Sequence, residues 1–117
     1  MNHALLASIN STRNNEGNII LSENADLMSV AFYINDQKIN EDRELDNTLF
    51  SEALNTFNIN GSSKAIGRSS SSWSNIIDSL LDEEAELYNI NWQRIGIDIS
   101  TDSQGTIHCV IILNNQS

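Results

Sequence analysis

The last quarter of the chain constrains the fold most. Residues 94–100 alternate strictly, with Ile95, Ile97 and Ile99 on one face and Arg94, Gly96, Asp98 and Ser100 on the other. That period of two is the signature of a half-buried strand. Residues 101–105, Thr-Asp-Ser-Gln-Gly, carry turn chemistry, and a second strand follows over residues 106–113. This second strand is apolar on both faces: Ile107, Cys109, Ile111 and Leu113 share one, while Val110 and Ile112 accompany His108 on the other. A strand of that kind must be covered from both sides.

The preceding residues supply the cover. Ala4, Leu5, Ile9 and Thr12 form a modest helical face that stops at Gly17. Leu27, Val30, Ala31 and Ile34 recur at i, i+3, i+4 and i+7, with Ser22 as the expected N-cap. Leu49, Phe50, Ala53, Leu54 and Phe57 mark a third helix, with cap candidates from Asp46 to Thr48. Trp73, Ile76, Ile77, Leu80 and Leu81 mark a fourth, capped by Ser71 or Ser72 and continuing through the acids Asp82, Glu83, Glu84 and Glu86. Residues 37–46 and the serine-rich 62–72 read as loops. The expected architecture is α/β (α+β): one domain over residues 1–117, an α-β-α sandwich of about four helices around a small antiparallel sheet. Its core should include Leu5, Ile9, Leu27, Val30, Ala31, Phe50, Leu54, Ile77, Leu80, Ile95, Ile97, Ile99, Cys109 and Ile111. A chain of 117 residues can bury such a core without staples.

Charge narrows the partners. Sixteen acids against six bases give a net charge of −10. Binding to nucleic acid rests on neutralising phosphates with Lys and Arg. The six bases are scattered singly, so nucleic acid is excluded, and anionic membrane surfaces are disfavoured for the same reason. No apolar run could span a bilayer, and the opening residues carry no signal-peptide pattern. The lone Cys109 reads as a small buried hydrophobe. Asp98, Ser100 and Asp102 have the spacing that starts a calcium loop, but the sixth-place glycine and the closing glutamate are missing. Acids near the end of the fourth helix oppose the helix dipole, which suggests that one of them has a function of its own.

The order of segments resembles the CAP superfamily, the cysteine-rich secretory, antigen 5 and pathogenesis-related proteins. The opening Leu5-Leu6-Ala7-Ser8-Ile9-Asn10-Ser11-Thr12-Arg13 is similar to that family's first helix, and Leu27 to Asn35 to its second. Phe50-Ser51-Glu52 through Gly67 resembles its third helix and the approach to its Gly-Glu-Asn motif. Ile76 to Asn89 resembles its fourth helix, and Asn91-Trp92-Gln93-Arg94-Ile95-Gly96-Ile97 with the strand after it resembles its closing hairpin.

The resemblance implies an α-β-α sandwich and an extracellular or cell-surface setting. It also implies a central groove that many members line with two His and two Glu. At those four positions this chain carries Ile34, Arg68, Glu83 and His108, so only Glu83 and His108 keep the family's residue type. Leu80 stands where the family has Trp, and the family's disulfides are absent. Two ligands do not hold zinc, since even open sites keep three. No metal, no cofactor and no catalytic residue is therefore expected. Arg68 is expected to pair with Glu83 near His108, replacing a bound cation by an internal ion pair.

The leading functional expectation is a non-catalytic binding domain for a protein, glycan or lipid. Two alternatives stand beside it: a hydrolase using Glu83 and His108, and an acidic intracellular inhibitor that occupies a basic site on its target.

Overall fold

The structure is a computed structural model and describes residues 2–116. In chain order the elements are α1 (Asn2–Asn15), β1 (Ser22–Glu23), α2 (Ala25–Asn40), α3 (Asn47–Thr56), β2 (Ser63–Ser70), α4 (Trp73–Glu83), a 3-10 turn (Ala85–Tyr88), β3 (Arg94–Thr101) and β4 (Ile107–Asn114). The strands form one mixed sheet in the order β1-β3-β4-β2. The β3–β4 hairpin runs antiparallel with Arg94 opposite Asn114 and Thr101 opposite Ile107. The α+β class and the four helices are as the sequence implies.

The two apolar faces of β4 divide the core. Cys109, Ile111 and Leu113 pack with Ile95 and Ile97 against Leu5 and Ile9 of α1 and Ile76 and Leu80 of α4. Val110 and Ile112 pack on the other side against Leu27, Val30, Ala31 and Ile34 of α2 and Leu49 and Ala53 of α3. Thus α1 and α4 cover one face, and α2 and α3 the other. Truncating Leu80, which is fully buried, to Ala should cost roughly 2–5 kcal/mol. An unchanged urea midpoint for that variant would remove α4 from the core. Of the expected core, Phe50, Leu54, Ile77 and Ile99 are only partly covered, because they lie at the rim of their helix or strand.

Four local expectations are corrected. Residues 62–72 are not a loop: β2 pairs residue for residue with β4, from Ser63 opposite Asn114 to Ser70 opposite Ile107. An edge strand with one buried side chain, Ile66, tolerates serines, and the ladder supplies the order. Ser22 is not a cap but half of β1, which pairs in parallel with β3. The cap is Asn24, whose side chain accepts the Leu27 N–H at 3.0 Å. Helix α2 runs on to Asn40, into the stretch read as loop. The fourth helix stops at Glu83; Glu84 is extended, and the acidic continuation is the separate 3-10 turn. Asp46 and Ser72 do cap α3 and α4.

The buried face of α1 is Leu5, Ile9 and Arg13, with Ala4 exposed. Arg13 is fully buried and donates to four backbone carbonyls: Ile19 (2.8 Å), Leu87 (2.9 Å), Asn89 (3.0 Å) and Trp92 (3.1 Å). It ties the end of α1 to the chain before β1 and to the 3-10 turn.

Candidate functional site

The sheet separates the four residues singled out by family position. His108 shares its strand face with Val110 and Ile112, under α2 and α3. Ile34 lies on that same side, fully buried in the core. Arg68 shares the strand face of Ile66, opposite to that of His108, and reaches α4 there, where its Nε donates to Ser79 Oγ at 2.7 Å. Glu83 is exposed at the end of α4. The expected neighbourhood of His108 and Glu83 is therefore not formed.

The expected Arg68–Glu83 pair is also corrected. Arg68 Nη2 meets Glu84 Oε1 at 3.0 Å, with both side chains less than a third exposed. The helix ends between the two acids, and the extended backbone of Glu84 turns its side chain back toward β2. A double-mutant cycle of Arg68→Met and Glu84→Gln should give a coupling of about 1 kcal/mol. The same cycle with Glu83→Gln should give none. Coupling to Glu83 instead would mean that α4 extends a residue further.

His108 stands in a different set of partners. Its Nε2 lies 3.0 Å from Asp102 Oδ2, and its Nδ1 lies 2.9 Å from Ser69 Oγ. With the ring N–H on Nε2, the ring donates to Asp102 and accepts the Ser69 hydroxyl at Nδ1. The fold builds this line simply. Ser69 and His108 are directly opposite across β2 and β4, and Asp102 opens the hairpin turn. Asp102 Oδ1 also accepts the N–H groups of Gln104 (2.9 Å) and Thr106 (3.0 Å). The bond from His108, aided by the Thr106 N–H, holds the Asp102 carboxyl below its usual range.

Two grooves flank His108. One, of about 540 Å³, lies between β2 and residues 38–45 and is bordered by Lys38, Arg43, Leu45, Gly67 and Ser69. The other, of about 510 Å³, lies between the end of α2 and the hairpin turn. Lys38 borders both. Desolvation pulls its ammonium below the usual lysine range.

Sequence reasoning missed Ser69, Asp102 and Lys38 as a set. Finding Ser69 needs β2 to be a strand in register with β4; the Asx-turn pattern Asp102-Ser103-Gln104-Gly105 was the one visible signal. Asp98, the first residue of the rejected calcium pattern, accepts from Asn35 (2.8 Å) and Ser100 (2.7 Å) and so is occupied within the protein. Cys109 is buried, its thiol pushed up to about 12 by that burial, as suits a core residue.

No three His, Cys, Asp or Glu side chains among the described residues cluster as metal ligands. Ile34 is buried and apolar, and Arg68 is cationic and already paired, so neither can complete a site around His108. Elemental analysis of protein purified without chelators should find no stoichiometric zinc. One zinc per chain would require a ligand set other than these residues.

No protein-family model matches this chain, and no curated protein matches its sequence. Solved structures do match its fold. An outer surface protein from Borrelia burgdorferi superposes with a TM-score of 0.79 at 18% identity, over 98% of this chain and 92% of that one. A cysteine-rich secretory protein from Staphylococcus aureus gives 0.74 at 17% identity, over 97% of this chain and 37% of its own length. The CAP domain of Enterococcal PrgA gives 0.63 at 14% identity, over 92% of this chain and 57% of that chain. The chain thus spans less than two thirds of the latter two.

Proposed function

We propose that this chain, whose fold is that of the CAP domains, is a non-catalytic binding domain that works outside the cell or on its surface. Its partner is a protein, glycan or lipid, met at the groove beside His108. The observation that carries this reading is the groove itself: about 540 Å³, within the range of ligand sites, and bordered by convergent polar side chains. The names of the similar structures, an outer surface protein and a secretory protein, support the setting.

Ser69→Tyr is the test, since Ser69 is exposed and a tyrosine there fills the groove without entering the core. A partner crosslinked to the wild-type domain on intact cells of the source organism should be lost with Ser69→Tyr. The reading fails if the partner is a basic cytosolic protein, which would favour an acidic intracellular inhibitor. It also fails if capture is indifferent to the filled groove.

The line Ser69–His108–Asp102 favours a second reading, a serine hydrolase, in place of the Glu83 and His108 pair. In such an enzyme the histidine would take the serine proton while the aspartate holds the ring. Against this, Asp102 is already committed to the backbone of the hairpin turn, a structural task. Covalent labelling by a serine-directed fluorophosphonate, abolished by Ser69→Ala, would establish the hydrolase and overturn the non-catalytic reading.

A further inference from the structure

We infer that the groove beside His108 holds the free carboxylate of an extended peptide, with Lys38 as its counter-charge and the outer edge of β2 as its backbone partner. This rests on the binding role proposed above.

Charge is the first argument. Lys38, Arg43 and Arg68 all border the groove, half of the six bases in a chain of net charge −10. Two of the three are neutralised, Arg43 by Glu52 at 2.9 Å and Arg68 by Glu84 at 3.0 Å. Lys38 takes part in none of the ion pairs among the described residues. A partly desolvated ammonium without a carboxylate is costly, and a ligand carboxylate relieves that cost. The ammonium stands over β2 beside Leu45: a methyl group placed on Gly67 would lie 3.9 Å from Lys38 Nζ and 3.1 Å from Leu45 Cδ2.

The edge strand is the second argument. β2 ends the sheet and pairs only with β4. The Asn115 N–H donates to Ser62 O, so in this antiparallel register the even-numbered residues face β4. Ser63, Ala65, Gly67 and Ser69 then turn their N–H and C=O groups outward. The Gly67 carbonyl already accepts from Arg68 Nη1 at 2.9 Å, as an outward carbonyl can. A neighbouring groove of about 290 Å³ borders Ser63, Lys64 and Ala65 and shares Leu45 and Ala65 with the first. Together they follow the strand, as strand addition requires.

The same surroundings select against other ligands. Asp42 and Glu44 also border the groove and repel anions, so a polyanion is disfavoured more strongly than a single carboxylate, whose attraction to Lys38 has to outweigh them. No Phe, Tyr or Trp borders the larger groove to stack on a sugar, the His108 ring is held edge-on by Ser69 and Asp102, and Leu45 and Ala65 are too little apolar surface for an acyl chain.

The probe is a random heptapeptide library displayed with free carboxyl termini and screened against the whole domain. The best peptide is then remade with an amidated end. Amidation and Lys38→Met should each weaken binding by about tenfold or more, the scale of a charge-assisted hydrogen bond. Thermal melts establish that the variant is folded, and Ser69→Tyr should block the same peptide by filling the groove. Equal binding of the amidated peptide, or no enrichment at all, overturns the inference. So does Lys38-dependent binding of a sialylated trisaccharide with no peptide selected, which would place the carboxylate on a glycan. A cell-surface partner that is lost with Ser69→Tyr but kept with Lys38→Met sinks this inference alone and leaves the binding role standing.

Discussion

Gly96→Ala should destabilise the domain by about 3 kcal/mol or more, the upper range for overpacking a core. A methyl group on Gly96 would lie 2.2 Å from the Leu27 carbonyl carbon and 2.4 Å from Met28 N. Those are backbone atoms of α2, so the clash is relieved only by lifting the helix off the sheet. That movement would open the packing of Leu27, Val30, Ala31 and Ile34 over Val110 and Ile112. Against a total stability of about 5–15 kcal/mol for a domain of this kind, the loss is large. The control is Gly67→Ala, where the added methyl meets Leu45 Cδ2 at 3.1 Å, the tip of a side chain that can rotate away. Urea midpoints should fall steeply for Gly96→Ala and little for Gly67→Ala. Equal midpoints would mean that α2 does not rest on β3 at this point.

Arg13→Met should have a comparable effect for a different reason. The substitution keeps the buried volume roughly filled but strips hydrogen bonds from the carbonyls of Ile19, Leu87, Asn89 and Trp92. A fully buried acceptor left unsatisfied costs about 1–3 kcal/mol; the Leu87 bond is fully buried and the other three are part-buried, and losses at one cluster are not fully additive. The net should reach about 3 kcal/mol or more. Arg13→Lys should recover only part, because a single ammonium cannot reproduce the planar fork that spans all four acceptors. Hydrogen exchange gives a sharper readout than the melting temperature. Protection should fall first in the 3-10 turn and in residues 18–21, before the β3–β4 hairpin. Uniform loss across the chain would show that Arg13 supports the whole core rather than this seam.

The parts of the fold that rest on side-chain periodicity were readable in the sequence. The Leu27–Ile34 stripe and the alternation of Ile95, Ile97 and Ile99 each follow from one buried face. β2 was not readable, because its order comes from a distant partner ladder, with Ser63 opposite Asn114, and only Ile66 among its side chains is buried. That omission propagated into the site. Without β2 as a strand, nothing places Ser69 opposite His108, and Lys38 overhangs no groove. The acidic run illustrates a finer limit. One of those acids, Glu84, pairs with Arg68. Choosing Glu84 over Glu83 depends on a helix end, and one residue of error turns a side chain by about 100° around the axis. Arg13 was hidden for another reason. A base in a polar stretch reads as solvated, and the four carbonyls it serves belong to segments with no regular pattern.

The order β1-β3-β4-β2 has a consequence for how the chain is made. β4 touches both β2 and β3, yet it follows both of them in the order of synthesis. While β4 is still inside the ribosome, a nascent chain has β2 with no neighbour and helices with no complete sheet to cover. Folding therefore waits for the emergence of β4, when the local β3–β4 hairpin forms quickly and the distant β2 joins by the slower closure of a long loop. Until then every apolar face described above is open to chaperones, proteases and other copies of the chain.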